Sequence, residues 1–199
     1  MAKSKDQLTL FVGQVGGHLN LLGEWLRTES LTKCCAHPLK PPRLSKDLDH
    51  GLSRRVIDQA LEYAEHRRAT ADPTRCVVVH GDPRAGNALR VRSARTGAES
   101  GFVFVDPDAF TSEPEYDLGV VLRDWSGELL GGDALVAHRY CALLASESGF
   151  DEVAIWECGF VERVSTGLYL LSFGAAELAR PFLETAELLV KNWDAPWVS

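Results

Sequence analysis

Apolar positions recur at helical spacing over most of the chain and switch to short β-branched runs in one central block, so the pattern predicts a mainly helical α+β protein. Near the start, Leu8, Phe11, Val12, Val15, Leu19, Leu22 and Leu26 predict one broken helix or two short ones, interrupted by Gly13, Gly16, Gly17 and Gly23. Pro38, Pro41 and Pro42 mark a loop from Ser30 to Asp49. Ser53 then caps an expected helix whose apolar face is Val56, Ile57, Ala60, Leu61 and Ala64.

The period changes at Cys76, where Cys76 to Val79, Ala88 to Arg92 and Phe102 to Val105 read as three short strands. The polar stretch Ser93 to Gly101 turns the second strand back on the third, which brings Asn87 and Asp106 to the base of one hairpin. Beyond Asp106 the spacing is helical again. Leu118, Val121, Leu122 and Trp125 predict a helix over Tyr116–Trp125. Asp133 is expected to cap a second, with Leu135, Val136, Tyr140, Leu143 and Leu144 apolar and Gly149 as its stop. Two further helices are expected over about 152–173 and 175–193, the latter bent or restarted at Pro181. Trp125, Trp156 and Trp193 fall at core positions.

Composition narrows the class. With 199 residues, 45% hydrophobic and 25% charged, the chain suits one ordinary globular core. No apolar run approaches the roughly 20 residues of a membrane helix, and no signal core follows the first residues, so a cytoplasmic home is expected. The net charge of -7 argues against a nucleic-acid partner. Five cysteines in no metal-finger spacing are expected to be reduced and structural; Cys34 and Cys35 near His37 and His50 match no common zinc pattern.

The chemistry concentrates in His80-Gly81-Asp82-Pro83-Arg84-Ala85-Gly86-Asn87 and in Asp106, which closes the third strand. An aspartate on a tight loop after a buried strand can accept the proton of an attacking hydroxyl, which makes Asp82 the candidate base. Asn87 and Asp106 offer the oxygen ligands that Mg²⁺ prefers. His80 is expected to bond backbone and fix the loop, with Gly81 allowing the turn and Gly86 the bend. By average residue frequencies, His-Gly-Asp with a correctly spaced Asn arises by chance roughly once in a thousand chains of this size. Asp108 reads equally as an outer metal contact or a cap, Asp117 as an N-cap bracing the loop, and Arg84 as a phosphate contact or a surface ion pair.

His80-Gly81-Asp82-x-x-x-x-Asn87 with Val105-Asp106 resembles the aminoglycoside phosphotransferase family, relatives of the protein kinases. Val105-Asp106-Pro107-Asp108, Glu113 to Gly119 and Leu122-Arg123 are similar to its streptomycin 6-phosphotransferase and hydroxyurea-kinase branch. The resemblance implies a protein-kinase-like C-terminal lobe, ATP as donor, Mg²⁺ held by Asn87 and Asp106, Asp82 as base, and a small-molecule hydroxyl as acceptor. An aminoglycoside antibiotic, with resistance as the consequence, is one such acceptor. The family's helical lobe holds the acceptor; Glu157, Glu162 and Glu184 are acids that could meet a cation there, with surface solvation the expected role of each.

The resemblance spans roughly Leu52 to Trp193, its specific part His80 to Asp124, and it implies a lobe over 51–199 preceded by a helical segment and proline-containing loop over 1–50. Full members carry a nucleotide lobe with a glycine loop and a strand lysine. Only 79 residues precede His80 here, and Lys33, Lys40 and Lys46 lie in no β-branched strand, so that lobe is expected to be absent or supplied by a separate chain. No nucleotide-binding residue is assigned, and these residues alone are expected to bind ATP weakly. The alternatives are a truncated or inactive remnant that binds a small molecule or protein, and a metal-dependent hydrolase, for which the ligands are too few.

Overall fold

The computed structural model describes residues 52–93, 95–131 and 134–191. The expected helix over Leu8–Arg27, the loop over Ser30–Asp49, Cys34, Cys35, Asp133 and Trp193 lie outside them. Within them the chain is α+β and mostly helical, with two small antiparallel sheets.

Helix α1 (Arg54–Thr70) starts where expected, with Ser53 Oγ accepting the Val56 amide at 3.4 Å. Its buried face is Val56, Ile57, Ala60, Tyr63 and Ala64. Leu61, expected on that face, is 36% exposed, because the 3.6-residue period turns it outward and brings Tyr63 in. Strand β1 (Val77–Val79) follows a short 3₁₀ turn over Pro73–Arg75 and runs into the His80 loop.

The expected hairpin forms from β2 (Ala88–Arg90) and β3 (Phe102–Phe104), with Ala88 opposite Phe104 and Arg90 opposite Phe102. A fourth strand, β4 (Phe110–Ser112), was not expected; it pairs antiparallel with β1, Val79 opposite Phe110. The predicted helix over Tyr116–Trp125 is α2 (Glu115–Arg123), ending two residues early, and a short helix α3 (Ser126–Leu130), which was not expected, follows it. In α4 (Leu135–Ser148), Gly149 at φ 75° is the expected stop, while the buried face is Ala137, Cys141 and Leu144 and Leu135 is exposed.

Helix α5 (Glu152–Ser172) is the axis of the molecule, packed against α1, α2, α4 and α6 (Ala176–Lys191). Asp151 caps α5 by accepting the Ala154 amide at 2.7 Å. α6 runs through Pro181 without a restart. Trp125 and Trp156 are core residues, as expected. Cys141 and Cys158 are buried free thiols, whereas Cys76 is disulfide-bonded, which corrects the reading of every cysteine as reduced.

The crossing of α2 and α5 sets the height of the His80 loop. A Cβ on Gly119 would stand 2.6 Å from Cys158 Cβ and 2.7 Å from the Gly159 amide nitrogen. Only backbone fits there, so α2 lies against α5 with Asp117 directed at the loop. No helix among the described residues is long and apolar enough to cross a membrane.

Candidate active site

The His80 loop hangs from a single buried carboxylate. Asp117 Oδ2 accepts the His80 amide at 2.8 Å and Oδ1 accepts the Gly81 amide at 2.9 Å. Burial raises the Asp117 pKa, while its hydrogen bonds with the Gly81 and His80 amides oppose the rise. The expected brace is therefore present, but not the N-cap: Pro114 stands at the head of α2 and Asp117 lies inside its first turn.

His80 holds the other side of the loop. Its Nε2 lies 3.1 Å from the Val105 carbonyl oxygen and its Nδ1 3.3 Å from the Asp82 amide. A carbonyl only accepts and an amide only donates, so the proton sits on Nε2 and both ring nitrogens are occupied. The His80 carbonyl in turn accepts the Asp108 amide at 2.9 Å. Gly81, at φ 88°, has no room for a side chain: a Cβ would stand 2.7 Å from the Phe110 ring and 2.8 Å from Asp108 Cβ.

Asp82 is partly exposed and its two oxygens have different partners. Oδ1 accepts Arg123 Nη2 at 2.9 Å, and Oδ2 accepts Arg84 Nε at 2.8 Å and Asn87 Nδ2 at 3.1 Å. Asn87 Nδ2 also donates to the Asp82 carbonyl at 2.9 Å, and the residue is buried. Because the amide nitrogen is committed to Asp82, the amide oxygen faces the other way.

Asn87 and Asp106 meet at the base of the hairpin, as expected: the Val105 amide donates to the Asn87 carbonyl at 2.9 Å, which sets Asp106 one residue further on. Asp106 is exposed, at φ 60°, and its carboxylate makes no hydrogen bond or ion pair among the described residues. A left-handed conformation on a residue other than glycine is strain of the kind that functional sites retain. A neutral amide oxygen and an unengaged carboxylate are hard donors that suit Mg²⁺, so this pair fits the ion. No group of three or more His, Cys, Asp or Glu side chains among the described residues is arranged to hold a metal, which leaves water or phosphate oxygens to complete such a shell. Asp108 is exposed and does not cap α2.

The spacing of motifs did not reveal the network behind Asp82. Arg123, the last residue of α2, is 11% exposed and also donates to Asp124 Oδ1, with Glu162 Oε2 3.7 Å from its Nη1. Burial alone would lower the Arg123 pKa, but Asp124, Asp82 and Glu162 together raise it. Glu162 accepts the Tyr116 hydroxyl at 3.0 Å, and burial raises its pKa against the pull of Arg123. Next to it, Arg163 is wholly buried and donates to Ser126 Oγ, Thr185 Oγ1 and the Leu122 carbonyl; desolvation pushes its pKa down to about 9. The available signal was the set of charged residues among the apolar positions of α2 and α5.

Surface solvation is thus corrected for Glu162, and for Glu157, which is buried and lies 2.7 Å from His66 Nδ1 and 2.5 Å from Arg67 Nε of α1. Glu184 is exposed, as expected. No protein-family model, curated protein or solved structure matches this chain.

Proposed function

We propose that the chain is a phosphotransferase of the aminoglycoside phosphotransferase type, with a protein-kinase-like C-terminal lobe, that moves a phosphoryl group from ATP to a hydroxyl of a small molecule. The observation that carries the reading is the joining of Asp82 to Asn87 by the amide hydrogen bonds and of Asn87 to the Asp106 strand by the backbone. A candidate base and two hard oxygen donors are then linked through the loop and the base of one hairpin, and these are the groups that phosphoryl transfer needs.

Asp82 takes the proton of the acceptor hydroxyl as its oxygen attacks phosphorus. Asn87 and Asp106 would hold Mg²⁺, which when bound neutralises charge on the phosphate oxygens. Asp117 and His80 hold the loop rigid, and Arg123 orients Oδ1 of Asp82. The acceptor class that goes with this reading is a streptomycin-type aminoglycoside or hydroxyurea, the setting the cytoplasm, and the source of the nucleotide lobe a separate chain. One observation favours the second reading, a binding module without turnover: both oxygens of Asp82 are engaged by arginines.

Paramagnetic resonance titration with Mn²⁺ in the presence of ATP tests the ligand pair. Asp106→Ala is expected to weaken Mn²⁺ binding by more than the ~10-fold typical of losing an outer-shell partner. Superimposable curves for wild type and variant would remove Asp106 from the site.

A further inference from the structure

Two guanidinium groups share Asp82, and they are held very differently. Arg123 is enclosed by the carboxylates of Asp82, Asp124 and Glu162. Arg84 stands on the exposed tip of the loop, its side chain 51% exposed, and the bond from Nε to Asp82 Oδ2 is the guanidinium's one hydrogen bond or ion pair among the described residues. Its terminal nitrogen lies over Gly86, 3.6 Å from where a Cβ would be.

A guanidinium carries five N–H donors in a planar fork, and Arg84 uses one of them. The fork matches two oxygens of a tetrahedral oxyanion better than the one carboxylate oxygen it touches. Exposed ion pairs of this kind are weak in water, so a multiply charged oxyanion can outcompete Asp82 for it. While Arg84 stays in place it covers Oδ2, the oxygen facing the same side as Asn87.

We propose that Arg84 is an exchangeable latch on Asp82. In the free protein it closes the outer side of Oδ2; an oxyanion of the di- or triphosphate class arriving at the loop tip takes the guanidinium over and leaves Oδ2 with the Asn87 amide as its remaining partner. Arg123 cannot exchange in this way, since Asp124 and Glu162 retain it. The capture of the anion stands by itself, while the use of the opened Oδ2 as a base rests on the phosphotransferase reading.

Calorimetric titration of the full chain with inorganic pyrophosphate, free of metal, tests the latch in four proteins: wild type, Arg84→Gln, Asp82→Asn and the double variant. Arg84→Gln is expected to weaken binding about tenfold, the scale of a lost charge-assisted hydrogen bond pair. Asp82→Asn releases Arg84 and is expected to tighten binding several-fold in the wild-type background, and by less than about twofold when Arg84 is already Gln. If Asp82→Asn fails to fold, Asp82→Ser supplies the same arm.

An equal gain in both backgrounds would mean general charge repulsion and would overturn the latch, as would unchanged binding by Arg84→Gln or no binding by any of the four. Phosphate transfer is scored separately. Coupling in a protein that never transfers phosphate keeps the latch and removes the enzyme, while additivity in an active enzyme does the reverse.

Discussion

Asp117 shows how much one side chain can carry. It is the shared acceptor for two successive loop amides and lies at 2% exposure, so neither amide can turn to water if it is lost. Asp117→Asn keeps one acceptor oxygen and sets an N–H₂ group against the second amide. The expected loss of stability is about 2 kcal/mol, the cost of one buried donor left without a partner, read from urea unfolding. An unfolding midpoint equal to wild type would show that the loop does not hang from this carboxylate. The loop residues themselves were legible in the sequence, because His80, Asp82 and Asn87 lie within eight positions of one another. Arg123 and Glu162 were not, since each reaches the site from a different helix and only the fold brings them to Asp82 and Tyr116.

Elements succeed or fail as predictions according to how local their cause is. Ser53, Gly149 and the long apolar run of α5 act through their own neighbours, and the helices they bound lie where the pattern put them. β4 is the opposite case: Phe110–Ser112 has no alternation to read, and it is a strand only because β1, far upstream, lies alongside. The early end of the helix predicted over Tyr116–Trp125 is likewise set in the fold, since the Asp124 amide bonds to the Val121 carbonyl in a tighter final turn that ends α2. Gly119 is the element-scale determinant that spacing could not show. Gly119→Ala places a methyl group 2.6 Å from Cys158 Cβ and must drive α2 and α5 apart. The expected cost is about 1–3 kcal/mol, seen as a lower thermal midpoint; an unchanged midpoint would mean that the crossing yields freely.

At the scale of the molecule, α5 organises everything that the candidate site needs. Its buried Glu157 ties down α1 through His66 and Arg67, its Gly159 admits α2, and its Glu162 and Arg163 reach Arg123 and the end of α2 from behind. The His80 loop is therefore supported on its inner side by a packed, charged lattice and open on its outer side, where Asp82, Arg84 and Asp106 meet solvent. That asymmetry is what a transfer site requires: fixed donors and acceptors behind, access in front. The central claim, that Asp82 acts as a base in phosphoryl transfer, is tested most directly by a single-turnover assay. The full chain in excess over γ-labelled ATP, with Mg²⁺ and a panel of small-molecule hydroxyl acceptors including streptomycin and hydroxyurea, should transfer label slowly but measurably. Asp82→Asn should reduce that rate by at least about a hundredfold, the scale of a lost general base, while unfolding as a native protein does. Equal rates of label transfer in the two proteins would contradict the account.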